Sequence, residues 1–275
     1  MKKYALGLLA GLLLSTSAIA ENIYPISREQ GSGTRGAFVE IFEIQKKVKD
    51  KKVDATTQKA EVTNSTGVMI TTVAGSKNSI GYISLGSLND TIKALKIDGV
   101  APSVENINNK SYKISRPFNV VTKATNPLIE DFLKYSISTQ AKGIVEKAGY
   151  IAVAKESFKS TQPSGKLVIA GSSSVTPLME KLAESYKLVN PNAILEIQQS
   201  DSTTGVNSVV EGIADIGMVS REVKDSEIKK GITPLVLAID GLAVIVNKDN
   251  KVENLTKDSV KKIFLGEITK WQDAK

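Results

Sequence analysis

Arg28-Glu29-Gln30-Gly31-Ser32-Gly33-Thr34 follows a strand-like run, Ile23-Tyr24-Pro25-Ile26-Ser27, and leads into a helix-like run beginning Arg35-Gly36-Ala37-Phe38-Val39. A strand, a Gly/Ser loop and a helix start in that order form an anion cradle. The loop amides point outward, the helix dipole is positive at that end, and hydroxyls add donors. Arg28 adds a forked, permanently charged partner for an oxyanion. Taken alone, the same residues also describe a capped helix after a flexible turn. The rest of the chain separates the two readings.

The unit recurs. Lys166-Leu167-Val168-Ile169-Ala170 reads as a buried strand, Gly171-Ser172-Ser173-Ser174-Val175-Thr176-Pro177 as a hydroxyl-rich loop, and Leu178 to Tyr186 as a helix of 3.6 periodicity. Ile194-Leu195-Glu196-Ile197 then precedes Asp201-Ser202-Thr203-Thr204-Gly205 and a helix from Val206 to Glu211. A further strand, Ile213 to Met218, ends at Val219-Ser220-Arg221. Open parallel sheets place ligands beyond the carboxyl ends of their strands. Several consecutive strands ending in hydroxyls point to anion binding, which capping alone does not explain.

Strand-like and helix-like runs alternate elsewhere too, so the fold class is α/β. The pattern predicts an amphipathic helix from Ala37 to Val48, a solvated turn at Lys49-Asp50-Lys51-Lys52, and a helix through Val73 capped at Asn64-Ser65-Thr66. Strands are expected at Ile80–Ser84, Ala94–Ile97, Phe118–Val121 and Ile151–Val153, with helices at Leu128–Tyr135 and Gln140–Lys147. The polar stretch from Lys155 to Gly165 is the best candidate for a linker, or for a long loop between adjacent strands.

At 275 residues, 41% hydrophobic and 24% charged, the chain has ample core for one large domain or two modest lobes. The formal charge is +7, two of it from Lys2 and Lys3. The bias is mild and spread along the chain. No aromatic-interleaved basic stripe is present, so nucleic acid is not an expected partner. The chain has no histidine and no cysteine, which rules out Ser-His-Asp and Cys-His catalysis, disulfides and ordinary zinc sites. Neither a cofactor nor a metal is expected.

Lys2-Lys3, the apolar run from Ala5 to Leu14, and the small-residue stretch ending Ala18-Ile19-Ala20 read as a secretion signal cleaved after about Ala20. The apolar run is shorter than the ~20 residues that span a bilayer. No cysteine is available for lipid attachment, so a periplasmic location is expected.

Several segments together resemble the phosphate-specific substrate-binding proteins of ABC transporters, a branch of the two-lobed periplasmic binding proteins. They are GKLVIAGSSSVTPLMEKLAESY, QQSDSTTGVNSVVEGIADIGMVSRE, GLAVIVNKDN, LTKDSVKKIFLGEITKWQD and YPISREQGSGTRGAF. Their order differs from the family's usual one, in which the strand like Leu167–Ile169 comes first and the segment like Ile268–Trp271 runs into the one like Tyr24–Arg28. The resemblance therefore implies a circularly permuted type II fold, with mixed sheets, a hinge and neighbouring chain ends. It implies a split lobe (21–116 plus 248–275) and a continuous lobe (117–247), crossing near Arg116-Pro117 and Asn247-Lys248.

It also implies a phosphate site between the lobes. Arg28, Ser32, Gly33 and Thr34 would come from the split lobe. Ser174, Val175, Thr176, Ser202 and Ser220 would come from the continuous lobe. Gln30 stands where some relatives have an acid that holds the arginine, and Ser220 where many have an aspartate. The substitute acceptor is then Asp201 or a hydroxyl lone pair, and Asp201 reads equally as a helix cap. The implied partners are inorganic phosphate and an inner-membrane ABC permease, served by a monomeric, non-enzymatic receptor.

Charge-assisted hydrogen bonds contribute roughly 1.5–3 kcal/mol each. Five or more offset association costs on the order of 4–15 kcal/mol and still reach the ~8 kcal/mol of micromolar binding. The competing readings are a receptor for sulfate or molybdate, a secreted phosphatase, and a non-transport phosphate sensor or adhesin.

Overall fold

The computed structural model describes residues 21–274. The secretion signal expected at 1–20 lies outside the described residues.

The first part of the chain holds β1 (Tyr24–Arg28), α1 (Gly33–Ile41), β2 (Gln45–Val48), β3 (Lys51–Asp54), β4 (Glu61–Thr63), α2 (Thr66–Gly75), β5 (Ser79–Ser84), β6 (Ile92–Ala94), β7 (Lys96–Ile97) and α3 (Val104–Asn108). The middle holds β8 (Ser115–Thr122), α4 (Pro127–Ser136), α5 (Thr139–Lys147), β9 (Ile151–Ala152), β10 (Gly165–Ser172), α6 (Thr176–Val189), β11 (Ala193–Ser200), α7 (Ser202–Val210), β12 (Ile216–Val219) and α8 (Asp225–Ile228). β13 (Thr233–Asn247), β14 (Asn254–Leu255) and α9 (Lys257–Leu265) complete the chain.

The main sheet runs β11-β10-β12-β8-β13-β5-β1-β4. Its outer strands are parallel: β10 pairs with β11 and β12, and β1 with β4 and β5. Its centre is antiparallel, because β8 and β13 pair with each other and with the flanking strands. The resulting mixed sheet carries two lobes.

One large core gathers Phe38, Phe42, Ile80, Tyr82, Leu242, Val244, Val260 and Phe264 from both parts of the chain. Phe38 stacks on Tyr82 at 3.8 Å between ring centres and meets Phe264 edge-on. The other large core is built from the middle, with Phe118, Phe132, Leu167, Met179, Tyr186 and Leu237.

β13 belongs to both. It pairs with β8 up to Gly241 and with β5 from Leu242. Leu242, Val244 and Val246 therefore bury in the first core. An unbroken apolar strand gives no local sign of where its partners change.

The helix expected from Ala37 to Val48 ends at Ile41. Phe42 caps it, and Glu43 then adopts φ 56°, which turns the chain out of the helix. The lysine-rich stretch beyond forms the exposed hairpin β2–β3, in place of a helix end and a turn. The stretch 155–165 is tied down as a loop. Asp131 accepts hydrogen bonds from the Ser160 hydroxyl (2.6 Å) and the Thr161 amide (2.9 Å), and Gln140 bonds both backbone groups of Phe158.

The two ends of the described residues meet beside the first core. The Ile23 amide donates to the Thr269 carbonyl (2.8 Å) and the Trp271 amide to the Glu21 carbonyl (3.1 Å). Trp271 packs against the first core.

Candidate anion site between the lobes

Parallel strands on each side of the sheet aim their carboxyl ends at one region, and α1, α2, α6 and α7 start there. Ser32 caps α1 and accepts from the Arg35 amide (3.2 Å). Ser65 caps α2, and Asp201 caps α7 through the Thr204 amide (2.9 Å) and hydroxyl (2.7 Å). Of the two sequence readings of Asp201, the structure shows the cap. Four helix N-termini facing a common point give a concentrated positive field.

The hydroxyls converge as well. Thr34 Oγ1 lies 2.8 Å from Ser174 Oγ and 3.4 Å from Ser220 Oγ, and Ser202 Oγ lies 3.4 Å from Ser220 Oγ. The Ser220 amide donates to Ser202 Oγ (3.1 Å). All four side chains are buried.

Val175 and Thr176 form the start of α6 beside this cluster. There the Val175 amide and the Thr176 hydroxyl both donate to the Ser172 carbonyl (3.0 and 3.1 Å). Gly33 packs against the same hydroxyls: a Cβ there would fall 2.3 Å from Ser202 Oγ and 2.7 Å from Ser220 Oγ. Gly31 packs as closely on the Asp201 carboxylate, and its carbonyl accepts from the Thr203 amide (3.2 Å). The two lobes touch through these glycines.

Arg28 is the largest fully buried side chain among the described residues. Its Nε and Nη2 donate to the two oxygens of Glu29 (2.7 and 2.6 Å), and Nη2 also reaches Ser173 Oγ (3.1 Å). A buried guanidinium needs a paired anion to offset its desolvation. Glu29, adjacent in sequence, fills the orienting role that Gln30 cannot.

Two further residues were missed in the sequence. Thr66 Oγ1 lies 2.9 Å from Ser174 Oγ, and the Thr66 amide donates to Ser173 Oγ (3.2 Å). Thr66 had been read only as part of a cap. No local residue pattern marks this: β4 pairs parallel with β1 and so brings the start of α2 to the same end.

Behind the cluster lie two buried ion pairs. Arg221 makes two 2.8 Å bonds to the Glu227 carboxylate, which is held below the usual range: burial raises it, and the bonds from Arg221 and the Lys224 amide outweigh that. Arg116 donates through Nη1 to the Ser220 carbonyl (2.9 Å) and through Nε to Asp240 (3.1 Å). Burial pushes the Asp240 carboxyl up to about 6 against the opposing pull of Arg116 and Ser84.

Residues 16–140 and 157–275 match the family model of the PBP superfamily domain. The chain is 51% identical over 273 residues to the phosphate-binding protein PstS 2 of Streptococcus agalactiae, covering 98% of this chain and 93% of that protein. A crystal structure of a phosphate-binding protein of a phosphate ABC transporter from Streptococcus pneumoniae is 44% identical and superimposes with a TM-score of 0.72, covering 93% of this chain and all of that one. The phosphate-binding protein PstS of Bacillus subtilis is 38% identical, but over only 112 residues, 40% of this chain. The chain thus belongs to the PBP superfamily, in the branch that contains the PstS phosphate-binding proteins.

Proposed function

We propose that this protein binds inorganic phosphate between its lobes and hands it to a membrane-embedded ABC permease. The observation that carries this is the convergence of Arg28, Thr34, Ser174, Ser202 and Ser220, distant in sequence, at four helix N-termini. Ser32, Gly33, Val175 and Thr176 complete the enclosure. The names of the relatives support the same ligand and the same transport system. The protein acts as a carrier outside the cytoplasm, as a monomer and without turnover.

The lobes pivot where β13 changes partners, at Gly241-Leu242, and at the start of β8. That makes the lobes 21–114 plus 242–275 and 115–241. The segment order is a rotation of the order in other family members. The bonds between residues 21–23 and 269–271 and the partial match to the B. subtilis protein both support this, and the S. agalactiae relative shares the present order.

Calorimetry on mature protein stripped of ligand tests the function. Phosphate is expected to bind at micromolar concentration or tighter. No heat with phosphate alongside tight binding of molybdate would reject it, and turnover of a generic phosphate ester would favour a phosphatase.

A further inference from the structure

Lys46, Lys47, Lys49, Lys51 and Lys52 fall within the stretch 46–52, every residue of which is exposed. Asp50 is the one acid among them. They form the hairpin β2–β3, a two-stranded sheet apart from the main one. Elsewhere exposed lysines have acids in reach: Lys134 pairs with Glu130, Lys142 with Glu146, Lys166 with Glu196 and Lys262 with Asp258. Among the described residues, none of the hairpin lysines has a carboxylate within ion-pairing distance.

Lys47 also stands directly opposite Lys52 in the ladder, and like charges so placed destabilise a strand pair. The register puts Val48 and Val53 on one face, between Lys46 and Lys51, and Val48 is 47% exposed. The hairpin's base is fastened to the lobe that holds Arg28. The Ala55 amide donates to the Ile44 carbonyl (3.0 Å), and Arg35 donates through Nε to Asp54 (2.6 Å) and through Nη1 to the Arg28 carbonyl (2.6 Å).

This chemistry fits a fluid anionic surface. Lysine is a compact point charge on a flexible stem, without the fork by which arginine holds one carboxylate or phosphate bidentately. The hairpin has no arginine. Such a set needs many loosely placed negative charges in place of a shaped partner, and lipid headgroups supply them. Lysine stems beside exposed valine also suit a headgroup boundary, where the stem covers apolar surface and the ammonium stays in water.

We propose that the β2–β3 hairpin is an electrostatic docking surface that holds this protein against an anionic lipid bilayer. The choice of a bilayer over an acidic protein rests on the proposed delivery of phosphate to a membrane-embedded permease. Each lysine brought to an anionic bilayer strengthens binding about fivefold, so the set gives on the order of a thousandfold, within a screening length of about 8 Å at physiological salt.

The test is sedimentation of mature protein with lipid vesicles. At about 0.05 M salt, vesicles with about 30% phosphatidylglycerol should bind it at least about tenfold more tightly than pure phosphatidylcholine, and about 0.5 M salt should remove the difference. Lys46→Gln, Lys47→Gln, Lys49→Gln, Lys51→Gln and Lys52→Gln together should abolish the preference. The same change at Lys142, Lys147, Lys181, Lys187 and Lys229, exposed on the proposed lobe 115–241, removes equal charge and should preserve most of it.

Equal binding to both vesicle types, or equal loss in both variants, overturns the docking surface. So does retention on polyglutamate without binding to the anionic vesicles, which would assign the hairpin to an acidic protein. Phosphate calorimetry keeps the two proposals apart. The hairpin variant should bind phosphate as the unaltered protein does; loss there would place the hairpin in the phosphate site and overturn a separate docking role. Failure of the unaltered protein to bind phosphate would overturn the proposed function, whatever the vesicles show.

Discussion

Arg28 has a side chain only 2% exposed, and Glu29 keeps its charge paired while leaving the guanidinium facing Ser173. In the proposed complex one of its hydrogen bonds turns to the anion. Arg28→Met should weaken phosphate binding about ten- to hundredfold, the equivalent of one charge-assisted bond, as read by calorimetry. Glu29→Gln removes the neutralising partner, and its effect should appear as lower thermal stability in the ligand-free protein. Gly33 tests close approach. It is the first residue of α1. An added methyl there would meet Ser202 and Ser220. Gly33→Ala should therefore push Ser202 and Ser220 away from this loop and abolish tight phosphate binding. Unchanged binding would mean that the lobes do not close on this loop.

Among the elements, β13 has the largest structural role, joining both cores and carrying Asp240 beside Arg116. The Asp240 carboxyl titrates at about 6 in the fold, against 3.8 ordinarily, because burial disfavours its charge. The folded protein thus holds this proton more tightly than the unfolded chain. The contribution of Asp240 to stability falls as pH rises between those values. Asp240→Asn should flatten that dependence in denaturant titrations at several pH values. It should also cost roughly 3–5 kcal/mol by leaving Arg116 unpaired. Much of this architecture was legible in advance. The strand–loop–helix units at Arg28, Ser174 and Ser202 announced themselves by local residue types, and these are the pieces that meet. What was not legible depended on pairing across the chain. The partner switch within β13, the arrival of Thr66 through β4, and the capture of Arg28 by Glu29 instead of residue 30 are tertiary outcomes. The overlong helix past Ile41 was a local misreading, since a left-handed residue at Glu43 has no signature as plain as glycine.

For the molecule as a whole, two lobes share a continuous sheet, and the ends of the described residues meet on one of them, away from the proposed pivot. In the proposed closure by rotation about β8 and β13, the bonds that Ser173, Ser174, Thr203 and Ser220 make to the loops after β1 and β4 would break and reform. Small-angle scattering should show a smaller radius of gyration with saturating phosphate than in stripped protein. A hundredfold excess of phosphate over its Kd should add about 2.7 kcal/mol to stability. The most direct test is a crystal structure of the mature protein grown with phosphate. The account predicts one tetrahedral anion within hydrogen-bonding distance of Arg28, Thr34, Ser174, Ser202 and Ser220 at once. An anion bound elsewhere, with those hydroxyls still bonded to one another, would contradict it.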